Sequence, residues 1–262
     1  MSTTATATVY PTAGLVNLDG KTVLVTGASR GIGAACAVAC ARAGARQVVL
    51  VARSQSGLSA VAGEVRRHRA SAQISSCDVT DSVALQKTVR GLERLDVLVN
   101  CAGANHPEPF LEVQEQTFDR LWQLNVRAAF FASQAAARLM SAQVQGGVIV
   151  NISSQMGHVG GPLRSVYCTT KHALEGLTKA LAVELAPSGI RVVSIAPTFV
   201  RTEMTASQLD DPVIGAALLE KIPIGRFATA QEVAAAVVFA ASDSAGALTG
   251  SSLIIDGGWT AQ

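Results

Sequence analysis

Short, strongly apolar runs recur along the chain, separated by longer Ala-rich stretches with helical spacing of apolar positions. The runs are TVLVTG (22–27), QVVLVA (47–52), AQISSC (72–77), LDVLVN (95–100), GVIVNIS (147–153), IRVVSIA (190–196) and SLIID (252–256). Several are continuously apolar, the signature of strands covered on both faces. Helical patterns fall at 31–43, 57–69, 117–143, 165–186 and 230–242. Strand–helix alternation predicts parallel strands joined by right-handed crossovers. Seven strands fit an open, doubly wound α/β sheet with helices on both faces; an eight-stranded barrel is the competing architecture. No linker, composition break or repeat divides residues 18–262, so one domain is expected. Residues 1–17 read as a loose Thr/Ala-rich arm. They lack the basic and apolar regions of a signal peptide. The stretch RTEMTASQLDDPVIGAALLEKI (201–222) breaks the alternation and predicts a substrate lid over about 200–222.

Composition narrows the function. Apolar residues make up 49% and charged residues 15%, so the chain has the material for one sizeable core. The net charge of +2 is scattered, which argues against a nucleic-acid partner or an anionic membrane surface. No apolar run reaches the length of a membrane-spanning helix. The five cysteines, Cys36, Cys40, Cys77, Cys101 and Cys168, match no zinc spacing. They read as buried thiols in a reducing, cytoplasmic compartment, and no metal is expected.

The first strand runs into a glycine loop and then a helix: TVLVTGASRGIGAACAVACARAG. Glycine at Gly27, Gly31 and Gly33 lets the backbone turn sharply and approach a pyrophosphate, while the helix start offers free N–H groups. Ser29, Arg30 and Ile32 complete this cofactor loop. An NAD site places an acidic residue about 20 positions later, to hold the ribose 2′-OH. Here that place is Arg53–Ser54, and no Asp or Glu stands between Asp19 and Glu64. Arg30 and Arg53 suit a 2′-phosphate, which predicts NADP(H) in preference to NAD(H). Asp78, followed by Val79 at the third strand's end, suits either an adenine amino group or a helix cap.

The stretch SVYCTTKHALEG (165–176) puts Tyr167 and Lys171 on one helical face. A neighbouring ammonium and an oxidised nicotinamide would lower the phenol's pKa and suit it to acid–base work. The lysine could also hold the nicotinamide ribose. VNISSQMG just upstream offers Ser153 and Ser154 to the same carbonyl oxygen.

TGASRGIG, CDVTD, NCAG, the LNV around Asn125, NISS, YCTTK and IDGG occur in the order and spacing of the short-chain dehydrogenase/reductase family. The chain resembles that family from about Leu18 to Gly258, and in motif pattern it is close to 3-oxoacyl-carrier-protein reductases and to sugar/polyol or ketone reductases. The resemblance implies a Rossmann-like sheet of order 3-2-1-4-5-6-7 and a nicotinamide redox reaction on a carbonyl or alcohol. It implies Tyr167 as acid/base, Lys171 as its partner, Ser154 rather than Ser153 as the carbonyl-binding hydroxyl, and Asn125 in a water-linked proton relay. Asn125 also reads as a helix-bending side chain bonded to backbone. Cofactor contacts are implied at Asn100, Ala102, Gly103, Pro197, Thr198, Val200 and Thr202, besides Tyr167 and Lys171. Two departures stand out: Cys101 in the family's NNAG, and Thr198 in place of a glycine after Pro197, which would alter the pocket entrance.

Substrate contacts are expected from His106, Gln155, Met156, His158, Leu163, Phe199 and Met204. This mixed lining suits a modest, partly polar ketone or hydroxy compound. The stretches beside the entrance are poor in the basic residues that grip an acidic carrier, which favours a free small molecule. The alternatives are a fatty-acid-type 3-oxoacyl-carrier-protein reductase, an NAD-linked sugar/polyol dehydrogenase and, more remotely, a non-catalytic dinucleotide-binding regulator. The family is commonly a homotetramer, and that assembly is the expectation here.

Overall fold

A computed structural model describes residues 16–203 and 205–262. Residues 1–15 of the expected arm and Met204 of the expected substrate set lie outside the described residues. Seven parallel strands form one sheet in the order β3-β2-β1-β4-β5-β6-β7. They are β1 (Thr22–Thr26), β2 (Gln47–Ala52), β3 (Ser71–Ser76), β4 (Val97–Asn100), β5 (Gly147–Ile152), β6 (Ile190–Pro197) and β7 (Ser252–Ile255). The open order excludes the barrel. The strand order reverses beside β1, between β2 and β4, so a crevice opens at the carboxyl ends of β1 and β4.

Alternate side chains feed two cores. Val23, Val25, Val48, Leu50, Val97, Val99, Val193 and Ile195 face one, together with α1 (Gly31–Arg42), α2 (Gln55–Arg67) and α9 (Ala230–Ala241). Leu24, Val49, Val51, Leu98, Ile149 and Val192 face the other, with α3 (Ser82–Arg90), α5 (Ala128–Ser141) and α6 (Ser165–Leu185). Continuous apolar runs therefore mark strands buried on both sides. β3 is polar because it is an edge, and its alternate residues are exposed.

The expected helix 117–143 is three pieces: α4 (Glu115–Trp122), a π turn (Gln123–Arg127) and α5. The Ala128 N–H reaches back five residues to the Gln123 carbonyl. Helix α3 begins where the Asp81 carboxylate accepts from the amides of Val83 and Ala84, at 3.0 and 3.1 Å. The anticipated break at DDP separates α7 (Ala206–Leu209) from α8 (Pro212–Leu219), whose first amides bond to the Asp211 carboxylate. A bridge between Val200 and Ala228 closes the base of this 200–222 segment. Among the described residues, no helix is long and apolar enough to cross a membrane.

Candidate active site

A cavity of about 1220 Å³ runs along the carboxyl edge of the sheet. Its wall takes in the glycine loop, the ends of β2 to β6 and the start of the 200–222 segment. Thr26 ties the crevice together, its hydroxyl accepting from the amides of Cys101 and Ala102 at 3.0 and 3.2 Å. The backbones here are close. A Cβ on Gly27 would stand 2.9 Å from the Ala102 Cα, and Gly27 has φ +68°. A Cβ on Gly33 would strike the Gly27 carbonyl, so α1 lies directly under the loop. Helix α1 has no capping side chain and no acidic residue in its first turn. Its first amides and dipole therefore face the cavity free for an anion.

The cofactor expectations separate in the structure. Gly27, Ser29, Arg30, Gly31, Ile32, Gly33, Arg53, Ser54, Asp78, Val79, Ala102, Gly103, Pro197, Thr198, Val200 and Thr202 all line this one cavity. Asn100 does not. Its buried amide donates to Ser133 at 3.0 Å and Asn151 at 2.9 Å, so it braces β4 to β5 and α5. Asp78 accepts from the Thr80 amide and hydroxyl, at 2.9 and 2.8 Å, and stands 3.8 Å from Arg53. The helix cap is Asp81 instead. Arg30 donates to Glu203 at 2.9 Å, joining the glycine loop to the 200–222 segment. Thr198 has none of the backbone strain expected of a glycine position. Its φ is negative, and its amide donates to the Ile255 carbonyl at 3.0 Å. What it adds is a hydroxyl, buried in the wall with no protein partner.

Ser154, Tyr167 and Lys171 line the same cavity. Ser154 caps the short turn after β5, accepting from the Met156 amide at 3.1 Å. Buried Lys171 lies 5.5 Å from the centre of the Tyr167 ring and donates to the Ile152 carbonyl at 2.8 Å. Burial pushes the phenol up to about 12; the Ser154 hydroxyl and the charge of Arg164 pull the other way. Burial also pulls Lys171 down to about 8, opposed by Cys101 and Glu175. The phenol therefore stands protonated at neutral pH, with desolvation as the largest cause. The expected lowering draws on an oxidised nicotinamide as well as on the ammonium.

Asn125 sits in the π turn, buried behind the wall. Its amide clamps Ala104 on both sides, at 2.9 Å each, and donates to Thr170 at 3.1 Å. It thereby holds the NCAG loop against α6. Ser153 is structural, its hydroxyl directed to the Lys171 carbonyl at 3.5 Å.

Of the substrate expectations, Gln155, Met156 and Phe199 line the cavity. Gln155 is 1% exposed, and neither polar atom of its amide has a protein partner. His158 is turned away, bonded to Ser252 at 3.0 Å and 3.3 Å from the buried Glu175. His106 and Leu163 stand outside the wall, half-exposed. Sequence reasoning passed over Gln208, a wall residue on α7, and Arg164, which donates to it at 3.3 Å. Arg164 precedes Tyr167 by three residues, the spacing that could have drawn attention to it. Trp259 packs against Phe199 with its ring tilted by 40°, at 5.7 Å between ring centres, and so braces the cavity wall.

A parallel sheet of this order, with a glycine loop and a Ser–Tyr–Lys group on one cavity, defines a dinucleotide-fold oxidoreductase. The family model described as "Enoyl-(Acyl carrier protein) reductase" matches residues 27–260, and the chain belongs to the short-chain dehydrogenase/reductase family. It is similar to L-xylulose reductase of Bos taurus, at 40% identity over 94% of this chain and 99% of that one. It is similar also to D-threitol dehydrogenase of Mycolicibacterium smegmatis, at 40% identity over 93% and 94%. A gluconate 5-dehydrogenase from Burkholderia cenocepacia, solved with NADP and tartrate, superimposes with a TM-score of 0.89. It is 30% identical, with 94% of this chain and 97% of that one covered.

Proposed function

We propose that the protein interconverts a small polyhydroxylated ketone and its secondary alcohol, using NADP(H) and Tyr167 as general acid and base. The observation that carries the reading is the meeting of Ser154, Tyr167 and Lys171 with the glycine loop on one cavity wall. The cavity fits a dinucleotide. The uncapped α1 start and the close approach at Gly27 suit a pyrophosphate, and Arg30 and Arg53 suit a 2′-phosphate. Bound there, the nicotinamide supplies or accepts the hydride. Tyr167, protonated at neutral pH, gives its proton to the carbonyl oxygen in the reductive direction. The Ser154 hydroxyl donates to the same oxygen and stabilises the charge developing on it. Lys171 keeps a positive charge near the phenol and is placed to hold the ribose. Asn125 fixes the loop before it and is suited to the water-linked relay.

The unpartnered Gln155 amide favours a hydroxylated substrate. A buried amide with no protein partner is costly unless a ligand supplies one. The names of the sugar- and polyol-acting relatives point the same way. The test is NADPH oxidation against a panel of ketoses, keto acids and plain ketones, with Tyr167→Phe as control. The variant is expected to lose about 10²- to 10⁴-fold in kcat while still binding NADPH. Equal turnover by the two proteins would refute the mechanism.

A further inference from the structure

Arg164 is a partly buried guanidinium with no carboxylate partner. Among the described residues, Arg30, Arg53, Arg67, Arg94, Arg201 and Arg226 each stand within 4.0 Å of an Asp or Glu. Arg164 does not, a lack it shares with part-buried Arg127 and Arg191, and what sets it apart is its bond to the wall residue Gln208. Its hydrogen bonds go to neutral oxygens: the Gln208 amide at 3.3 Å and its neighbour Leu163's carbonyl at 3.5 Å. Both are long for a charged donor, which settles near 2.7–2.9 Å on a carboxylate. Burial works against its charge, and the ionisable groups it acts on are Tyr167 and Cys168. The guanidinium is therefore held where it acts on the catalytic phenol, with both terminal nitrogens on long bonds to neutral oxygens.

Its position is at the substrate end. Its stem lies against Gly161 beside Met156, since a Cβ built on Gly161 would come within 3.6 Å of the Arg164 Cγ and 2.9 Å of the Met156 sulfur. Met156 and Gln208 are both wall residues, so Arg164 stands one side chain behind the wall at the lid segment. Two wall residues next to Ser154 carry polar atoms without a partner. Gln155, 1% exposed, follows it in the chain, and Thr198, 8% exposed, follows Pro197, whose carbonyl takes the Ser154 hydroxyl at 3.4 Å. A ligand that satisfied all of them would carry hydroxyls near the reacting carbon and an anionic group farther along.

From this arrangement we infer that the substrate is a polyhydroxy acid, its carboxylate taken by the Arg164 fork in place of the Gln208 amide, with Gln155 and Thr198 bonding its hydroxyls. The carboxylate displaces a neutral acceptor from a desolvated cation, a gain that a hydroxymethyl end cannot match. Gln208 belongs to α7, so the same exchange frees the lid segment to settle on the bound acid. The inference rests on the oxidoreductase reading above and narrows its substrate.

The experiment compares NADPH-linked reduction of matched ketones that differ only at one chain end: 5-keto-D-gluconate with L-sorbose, and D-fructuronate with D-fructose. The wild type is expected to favour the acid of at least one pair by about 10- to 100-fold in kcat/KM, the yield of one charged hydrogen-bonded contact. Arg164→Gln should collapse that ratio towards one, mainly through KM, and Arg164→Lys should restore part of it. D-gluconate should inhibit the wild type competitively, and more strongly than D-sorbitol, a readout that holds even if the Gln variant folds poorly. A neutral ketose preferred by the wild type, or an acid-to-neutral ratio unmoved by Arg164→Gln, would overturn the inference while leaving the reductase reading standing. Failure of every ketone, with or without a carboxylate, would remove the reductase reading and this inference with it.

Discussion

Lys171 is held in two ways that pull against each other. Burial favours its neutral form, and the Ile152 carbonyl keeps it beside Tyr167. Its pKa of about 8 lies below the ordinary lysine value, so it is cationic below pH 8 and neutral above. The phenol, pushed up to about 12, stays protonated throughout that range. Reductive kcat/KM is therefore expected to fall as pH rises through about 8, with the lysine as the titrating group. A profile flat to pH 10 would show that the lysine's charge is not needed. Tyr167 and Lys171 were legible as a pair because helical spacing puts them on one face; the strand end offered Ser153 and Ser154 alike, and only the family resemblance pointed to Ser154. His158 was not. A loop histidine near the motif can turn to either side of the turn, and a buried carboxylate on α6, Glu175, decided which.

At the scale of elements, α9 shows how far local chemistry reaches. Thr229 and Glu232 form a reciprocal capping box, and Arg226 grips the same carboxylate at 2.6 Å. These bonds hold Glu232 down at about 2. Because that pKa is depressed, the stability these bonds contribute is fully present above the ordinary carboxylate value and is lost as pH falls from there through about 2. Thr229→Ala is expected to cost about 1 kcal/mol, read as a lower urea midpoint with an unchanged slope. Kinetics should change little, since neither Thr229 nor Glu232 lines the cavity. The start of α9 and the start of α2, capped by Ser54, fall within two residues of the sequence reading, whereas α3, capped by Asp81, was not among its helices. The interruption at 123–127 was signalled only by Asn125, read as a helix-bending side chain bonded to backbone; the pattern around it remains helical, and its cause is tertiary: Asn125 reaches Ala104 and Thr170.

The whole molecule brings together charges that lie far apart in the chain. Arg30 comes from the loop after β1 and Arg53 from the end of β2, and both border one cavity. Arg53→Asp is expected to weaken NADPH at least tenfold and to strengthen NADH, measured by nicotinamide fluorescence titration without substrate. Unchanged NADPH affinity would dismiss the 2′-phosphate role. The strand order and the crevice were legible because apolar runs alternate with helices from end to end. The substrate end was less so: Gln155 and Thr198 acquire meaning from polar atoms that lack a partner, and Arg164 from lacking a carboxylate, and a missing partner is a property of the folded chain. The wide turn at Asn125 has a bearing on the gene. Loss of one codon between 123 and 127 would leave a more regular helix through α4 and α5. It would also swing Asn125 by about 100° off its partners. The deletion that the helix would welcome is the one the site could not survive, so this stretch of reading frame has a fixed length for reasons that no helix propensity would suggest.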